Sequence, residues 1–467
     1  MSAPDITAEM MDRFRNSGAD VHTTILLGAG ASTTSGLPDW DTFATRLLLQ
    51  SRSVLEEETA KLLLSRQDPL IVVEAARVAF GKKWEPKLRN ALYDGVSSLD
   101  PSPLHLAAVG HFLAGKGEDS SLVTLNFDTL LEEAIQGEMG CEAIAVVDAE
   151  PHDSAHAVHH LHGVITPTRT ESVILTLSDF TSLIAASDSW QSEYFRSALS
   201  RGALVIAGTS YRDPDVRQWL HAAVHEHRAE NSAFVLLARE GFAVSKEDFK
   251  RIEIALSDQW KAVGLTPVLL QDHSDAAQII RELRHFHGDD YQSPQERAVE
   301  VWHRHSRDFD ELQLKYVERL EVGAATMKEA LDVMKLNLTL WLSDGEGRLA
   351  RWAAQDRLYR DFDALRTVET GHDSPWIAGR ALGADALLFQ DLDHDGTKQW
   401  KSVLAIPVPV RHPNFPTLSS AVLTIGLPDS ASRFESSNLT WGPPLAELAD
   451  ELGSLLSSVA FGESNIE

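Results

Sequence analysis

A chain of 467 residues, 43% of them hydrophobic, is long enough for two folded domains with separate cores. The 69 Asp and Glu residues outnumber the 42 Lys and Arg residues, and this acidic excess argues against nucleic acid or an anionic membrane surface as a partner. The single cysteine, Cys141, excludes an internal disulfide and a four-cysteine zinc site and favours a reducing, cytoplasmic location. No apolar run reaches the roughly 18 residues that a membrane-spanning helix needs.

Short apolar runs rich in Val, Ile and Leu predict buried strands. These runs lie at 24–27, 122–125, 143–147, 203–207, 233–238 and 266–270. Amphipathic stretches long enough for helices separate most of them, and this alternation predicts a parallel sheet covered on both faces. Residues 1–290 are therefore predicted to form a doubly wound, Rossmann-like α/β domain.

The segment 291–337 is predicted to be a helical linker. Its apolar residues repeat in three- and four-residue steps, which is the spacing of a short coiled-coil seam. The seam consists of Val317, Leu320, Ala324, Met327, Leu331, Met334 and Leu338. A helix that packs on its own neighbouring domain is the alternative interpretation.

Residues 338–467 contain apolar runs separated by turns with Gly and Asp, followed by a closing helix. This pattern predicts an α+β domain with an antiparallel sheet. A "SDGEGRL" turn, an "SVLAIPV" strand, another apolar strand and a terminal helix occur in an order that resembles a GAF domain. The resemblance implies a sensor of a small molecule or a dimerisation domain, so a homo-oligomer is expected.

The stretch "DLDHDG" places Asp391, Asp393, Asp395 and Gly396 at the spacing that begins an EF-hand loop. The twelfth position of such a loop is Ser402, so the bidentate Glu ligand is missing. The flanking strands favour an Asp-Gly hairpin turn, and no metal site is predicted here.

The stretch "ILLGAGASTTSGLPDW", at 25–40, places glycines directly behind an apolar strand. Its Gly28-Ala29-Gly30-Ala31-Ser32 segment can bring backbone N–H groups close to a pyrophosphate, because no glycine side chain blocks the approach. Thr33 replaces the usual third glycine, and no Gly-Lys-Ser/Thr follows, so the segment is not a Walker loop. A tight strand-to-helix turn without a ligand is the alternative from this segment alone.

Together with three later segments, this loop resembles the sirtuin family. "GAGASTTSGLPDW" resembles the family's signature, and "TLNFD" keeps Thr124, Asn126 and Asp128 of its Thr-Gln-Asn-Ile-Asp segment. "HLHG" places His162 before a glycine, and "GTS" follows an apolar strand. The four motifs occur in the family's order over residues 21 to about 285. The resemblance implies a sirtuin-like, NAD-binding fold.

The resemblance also implies residue roles. His162 is the expected general base and Asn126 is expected to position water or a ribose hydroxyl, so these two are the predicted catalytic residues. Nicotinamide is expected beside Asp39, with Trp40 as a wall of its pocket. The phosphates are expected at Gly28, Ala29, Gly30 and Ser32, the ribose at Asp128, and the adenosine half at Gly208, Thr209 and Ser210. Pro38 and Thr124 complete the predicted NAD-binding residues.

Other interpretations of these residues remain open. His160 and His162 share a face if both lie on a strand, so a two-histidine metal site is an alternative, although no acidic or thiol ligand stands at a recognisable spacing. His162 could be structural. Asn126 or Asp128 could cap the helix that follows.

Two departures from the sirtuin pattern bear on the reaction. Protein-deacylating sirtuins typically carry a zinc ribbon of four cysteines, which one cysteine cannot build, so no zinc is expected. Asp41 also stands where deacylases commonly have an arginine. The sequence therefore looks closer to the bacterial sirtuin-like NAD hydrolases of antiphage defence, which join a catalytic domain to a sensing domain.

The predicted function is that of an NAD glycohydrolase, which releases nicotinamide and ADP-ribose or a cyclic product from its substrate NAD. A small molecule or protein that engages 338–467 is expected to activate it. The alternatives are an NAD-dependent protein deacylase or ADP-ribosyltransferase, and a sensor that binds an NAD derivative without turnover.

Overall fold

The computed structural model of the protein describes residues 4, 6–96, 99–115, 119–149, 156–185, 189–209, 214–227, 232–393, 399–435 and 437–462. The chain divides into two compact units, of which one is Glu9–His287 and the other combines Met1–Ala8 with Gly288–Glu467. Three residues singled out in the sequence, Ser210, Asp395 and Gly396, lie outside the described residues.

The first unit contains a parallel sheet of seven strands in the order β3-β4-β2-β1-β7-β8-β9. The strands of this unit are β1 (Thr23–Leu27), β2 (Ser120–Thr124), β3 (Ile144–Val146), β4 (Ala157–His160), β5 (Val164–Ile165), β6 (Thr170–Glu171), β7 (Ala203–Ala207), β8 (Ala233–Ala238) and β9 (Thr266–Leu270). Strands β5 and β6 form a separate antiparallel hairpin. The predicted parallel sheet is confirmed, and each of the six apolar runs overlaps one of its strands.

The central strands β1, β7 and β8 are buried along their whole length, because helices cover both faces of a parallel sheet. The helices of the first unit are α1 (Ala8–Arg15), α2 (Ala29–Thr33), α3 (Trp40–Ser51), α4 (Glu57–Arg66), α5 (Pro69–Phe80), α6 (Trp84–Tyr93), α7 (Pro103–Ala114), α8 (Leu130–Met139), α9 (Leu177–Ala185), α10 (Trp190–Arg201), α11 (Pro214–His227), α12 (Lys246–Ala262) and α13 (His273–Glu282).

The strand order changes direction at β1. The chain runs from β1 to β2 on one side and later starts again at β7 on the other side. In open α/β sheets, ligands bind in the crevice outside the carboxyl ends of the strands at such a switch point. The fold therefore directs attention to the residues that follow β1, β2, β4 and β7.

The second unit contains an antiparallel sheet of six strands in the order β12-β11-β10-β15-β14-β13. Its strands are β10 (Asn337–Ser343), β11 (Arg348–Ala354), β12 (Thr367–Glu369), β13 (Leu388–Asp391), β14 (Ser402–Val410) and β15 (Leu418–Leu427). Its helices are α14 (Pro294–Arg307), α15 (Phe309–Ala330), α16 (Ile377–Ala384), α17 (Ala431–Glu435) and α18 (Asn438–Phe461). The antiparallel sheet is confirmed, while the GAF assignment stays a prediction.

The "DLDHDG" segment follows β13, whose Asp391 pairs with Ser402 of the antiparallel neighbour β14. This pairing is the arrangement that the hairpin interpretation predicts. Among the described residues, no helix is both long enough and apolar enough to cross a membrane.

Helix α15 carries most of the heptad-like seam, and its apolar stripe is buried within the second unit. Tyr316, Leu320 and Met327 are fully buried in one core with residues of the sheet and of α18. The seam does not continue as a helix, because α15 ends at Ala330 and Met334 is 91% exposed. This packing agrees with the alternative interpretation, in which the helix packs on its own neighbouring domain instead of forming a coiled coil.

Gly453 allows α18 to lie directly against β14. A Cβ atom at this position would stand 2.0 Å from the carbonyl oxygen of Pro409, which is a backbone atom and cannot move by a rotamer change. We expect Gly453→Ala to lower the free energy of unfolding by about 1–3 kcal/mol, as overpacking does. Urea titration followed by tryptophan fluorescence measures this loss.

Ser454→Ala is the matched control in the same helix, because Ser454 adjoins Gly453 and its side chain is exposed. Alanine is also the better helix former, so this variant is expected to keep full stability. Equal stability of the two variants would show that α18 does not depend on close approach at Gly453.

Candidate functional site

A cavity lies at the carboxyl ends of the central strands of the first unit. Its lining residues come from the turns after β1, β2 and β7, from the segment after β4 and from helices packed above them. They are Gly28, Ala29, Ser32, Leu37, Pro38, Asp39, Trp40, Phe43, Leu92, Leu125, Asn126, Phe127, Asp128, His162, Ile174, Leu175, Phe180 and Thr209. Ten of these are predicted site residues. Three others lie next to the cavity without lining it, namely Gly30 in α2, Thr124 at the end of β2 and Gly208 in the turn after β7.

The turn after β1 and the turn after β7 are in direct backbone contact. The Gly30 amide donates to the carbonyl oxygen of Gly208 at 2.6 Å, and the Gly28 amide donates to Ala207 at 3.0 Å. A Cβ atom at Gly28 would stand 2.7 Å from Cβ of Thr209, and one at Gly30 would stand 2.9 Å from the Gly208 oxygen. The two glycines are therefore required by the close approach of the neighbouring turn.

Asn126 is held from several sides. Its side-chain Nδ2 donates to the carbonyl oxygen of Gly28 at 3.0 Å and to Oγ of Ser32 at 2.7 Å. Its backbone amide donates to Oγ1 of Thr124 at 3.0 Å. An amide side chain has two N–H donors and one oxygen acceptor. Because both donors are engaged, Oδ1 is the atom with which Asn126 can hold a water or a ribose hydroxyl.

Ser32 connects Asn126 to Asp128. While it accepts from Asn126, its hydroxyl donates to Oδ2 of Asp128 at 2.7 Å. The other carboxylate oxygen of Asp128 accepts from the amide of Leu130, the first residue of α8. Asp128 therefore supports the start of this helix, as the capping alternative expects, and belongs to the site's hydrogen-bond network as well.

His162 lies in the turn that follows β4 and is 4% exposed. Its ring meets Phe180 edge to face at 5.5 Å between centroids and lies 6.4 Å from the ring of Trp219. Strand β4 ends at His160, so His160 and His162 do not share the strand face that the two-histidine metal alternative requires. In the described structure His162 instead lines the same cavity as Asn126.

Asp39 and Trp40 stand at the start of α3. Oδ1 of Asp39 accepts from the amide of Thr42 at 2.8 Å and caps the helix. Trp40 lines the cavity and lies 6.4 Å from the ring of Phe43. The Pro-Asp-Trp segment thus begins a helix and forms one wall of the cavity.

Sequence reasoning missed the apolar wall contributed by the segment after His162. Leu175 and Phe180 line the cavity, and the start of α9 is fastened to α5 by Arg77, which donates to Asp179 at 2.7 Å. Burial opposes ionisation of Asp179, but hydrogen bonds from Thr176 and Arg77 outweigh it and hold the pKa of this carboxyl below its ordinary value. The only signal in the sequence was the "LTLSDF" pattern of a polar cap before an apolar helix.

Residues 120–268 match the family model of the SIR2-like domain. The match begins in β2 and ends in β9, so it includes Asn126, His162 and Gly208 but not the Gly28 turn. No curated protein matches the chain. The family match supports a sirtuin-like domain and, because SIR2-like domains bind NAD, suggests an NAD-related activity in general.

The Ser32 hydroxyl is expected to contribute to stability through its two buried hydrogen bonds. Ser32→Ala leaves the buried Asp128 carboxylate without one donor and Asn126 without one acceptor. We expect a loss of about 1–3 kcal/mol in the free energy of unfolding, the usual cost of unpaired buried polar groups. Denaturant titration measures it.

Ser35→Ala provides the control three residues away. Oγ of Ser35 is buried and, among the described residues, has no hydrogen-bond partner, so its removal is expected to be neutral or stabilising. If both alanine variants were equally stable, the network between Ser32 and Asp128 would not contribute to folding.

Proposed function

We propose that the protein is an NAD glycohydrolase, which cleaves the bond between nicotinamide and ribose. The observation that carries the proposal is that His162 and Asn126 line one cavity together with Asp39 and Trp40 at the switch point of a sirtuin-like sheet. A buried histidine and an oriented amide in one cavity supply the two groups that activation of a water molecule needs.

The proposed reaction consumes one water molecule. The bond between the nicotinamide nitrogen and ribose C1′ breaks, and the electron pair of that bond leaves with neutral nicotinamide. A water oxygen forms the new bond to C1′, and His162 accepts the proton that this water loses. The products are nicotinamide, ADP-ribose and a proton; attack by a group of the substrate itself instead of water would give a cyclic product.

Asn126 orients the attacking oxygen in this scheme. Its Nδ2 is engaged with Gly28 and Ser32, which leaves Oδ1 to accept a hydrogen bond from water or from a ribose hydroxyl. The amide cannot flip without exchanging a donor for an acceptor at two buried contacts. Such fixed orientation lowers the barrier because it is established before the reaction begins.

The surroundings of His162 favour water over a protein substrate. Its 4% exposure, with Phe180 and Trp219 beside the ring, suits a small nucleophile better than an extended peptide. The segment 164–185 contains no cysteine, and the single Cys141 cannot supply a zinc ribbon. These observations support hydrolysis over the deacylase and ADP-ribosyltransferase alternatives.

The biological role that we propose is that of a bacterial antiphage effector, which depletes cellular NAD once it is activated. The second unit, proposed to be GAF-like, would receive a small-molecule or protein activator and contribute to a homo-oligomer. The arrangement of a sirtuin-like unit followed by a separately folded antiparallel unit supports this part of the proposal.

His162→Ala and Asn126→Ala are each expected to reduce NAD cleavage by about 10²–10⁴-fold, the usual contribution of general-base catalysis and of its positioning. The measurement is incubation of the purified protein with NAD, followed by chromatography of nicotinamide and ADP-ribose. No acylated peptide is added, because the proposed reaction needs none.

His287→Ala replaces an exposed histidine of the same unit and should leave the rate unchanged. Unchanged turnover in folded His162→Ala would contradict the assignment of the base. NAD binding without nicotinamide release, measured by calorimetry, would instead favour the non-catalytic sensor.

A further inference from the structure

We propose that His160, as an imidazolium ion held by Glu132, is a positioning residue that fixes Asn126 in the catalytic site. His160 does not line the cavity, and neither the family match nor the "HLHG" motif assigns it a role. The inference rests on the proposed NAD hydrolysis for its kinetic test, while a second test is independent of activity.

The contacts of His160 form a continuous path to the site. Nδ1 lies 3.1 Å from the carbonyl oxygen of Asn126, and Nε2 lies 2.7 Å from Oε1 of Glu132 on α8. His160 is 1% exposed and Glu132 is 8% exposed. The ring therefore links the segment after β2 to α8.

The two partners decide the protonation state. Both the Asn126 carbonyl and the Glu132 carboxylate are hydrogen-bond acceptors, and a neutral imidazole carries only one N–H. Only the imidazolium ion can donate to both at once. The other carboxylate oxygen of Glu132 is buried and has no hydrogen-bond partner in the described structure, so His160 is the main compensation for its charge.

The surrounding charges act in the same direction. Burial alone would lower the pKa of His160, but Glu132, the Asn126 carbonyl and Asp128 outweigh it, and the pKa lies above its ordinary value. Two other titratable groups interact with Glu132 and Asp128. Burial lowers the pKa of His105 on α7 and raises the pKa of Tyr93 on α6. Both are therefore neutral near pH 7 and do not compete with the His160 charge.

Loss of the His160 proton would remove one of these two hydrogen bonds. Without a proton on Nδ1, the lone pair of this nitrogen would face the carbonyl oxygen of Asn126. The peptide group after Asn126 would then lose its hydrogen bond to His160. Asn126 would then rely on its contacts to Thr124, Gly28 and Ser32 alone. A small displacement of a catalytic group slows the reaction more than it weakens substrate binding. Loss of the His160 proton should therefore lower kcat and leave KM nearly unchanged.

The kinetic test is the pH profile of NAD cleavage by the full chain. The wild-type kcat should fall at high pH as His160 loses its proton. Glu132→Gln removes the charge that raises the pKa of His160, so the fall should move to lower pH by about 1–3 units. KM should change little, and Glu132→Asp should restore much of the wild-type profile.

His159→Gln is the matched control on the same strand, because neighbouring residues of a strand point to opposite faces and the ring of His159 lies 4.6 Å from that of Tyr194. This variant should keep the wild-type fall of kcat at high pH. An unchanged high-pH fall in Glu132→Gln would overturn the proposal.

Nitrogen NMR of histidine side chains tests the charge without activity. The resonance that disappears in His160→Gln should show an imidazolium ion at pH 7.5, where exposed histidines are mostly neutral. A neutral ring at that pH would overturn the proposal. If the wild type cleaves no NAD at any pH, the proposed hydrolysis or its activation has failed, and this measurement still decides the state of His160.

Discussion

The site depends on the contact between two backbone turns, one after β1 and one after β7. The hydrogen bond of 2.6 Å from the Gly30 amide to the Gly208 oxygen joins them at the point where the strand order of the sheet reverses. Any Cβ atom at Gly28 or Gly30 would enter the other turn. Because Gly28 and Thr209 of these two segments both line the cavity, the contact fixes this edge of the candidate site.

Polar groups near this contact connect it to Asn126, one of the two proposed catalytic residues. Thr124 donates to the carbonyl oxygen of Leu27, and Asn126 donates to that of Gly28, so the ends of β1 and β2 are bonded through side chains. Ser32 and Asp128 extend the same network to α8. In a buried environment, a network of this kind is rigid when its donors and acceptors are paired, and it orients Asn126 before any ligand arrives.

Another wall of the cavity is apolar, and an ion pair instead of a buried hydrogen-bond network holds it in place. Leu175 and Phe180 belong to a segment held by the ion pair between Arg77 and Asp179, which is partly buried. Phe180 in turn limits access to the ring of His162. One wall thus provides fixed hydrogen-bonding groups, and the other covers one side of the ring that would act as the base.

The sequence by itself determined the strands, their parallel and antiparallel sheets, and the candidates Asn126 and His162, because each depends on short-range periodicity or on a local motif. It missed β4, since "AVHH" has too few apolar residues to mark a buried strand. Only the tertiary structure decided that Gly30 meets Gly208, that Phe180 covers His162, and that His160 joins Glu132 to Asn126. These contacts depend on which loops converge at one edge of the sheet, and spacing along the chain does not encode that convergence.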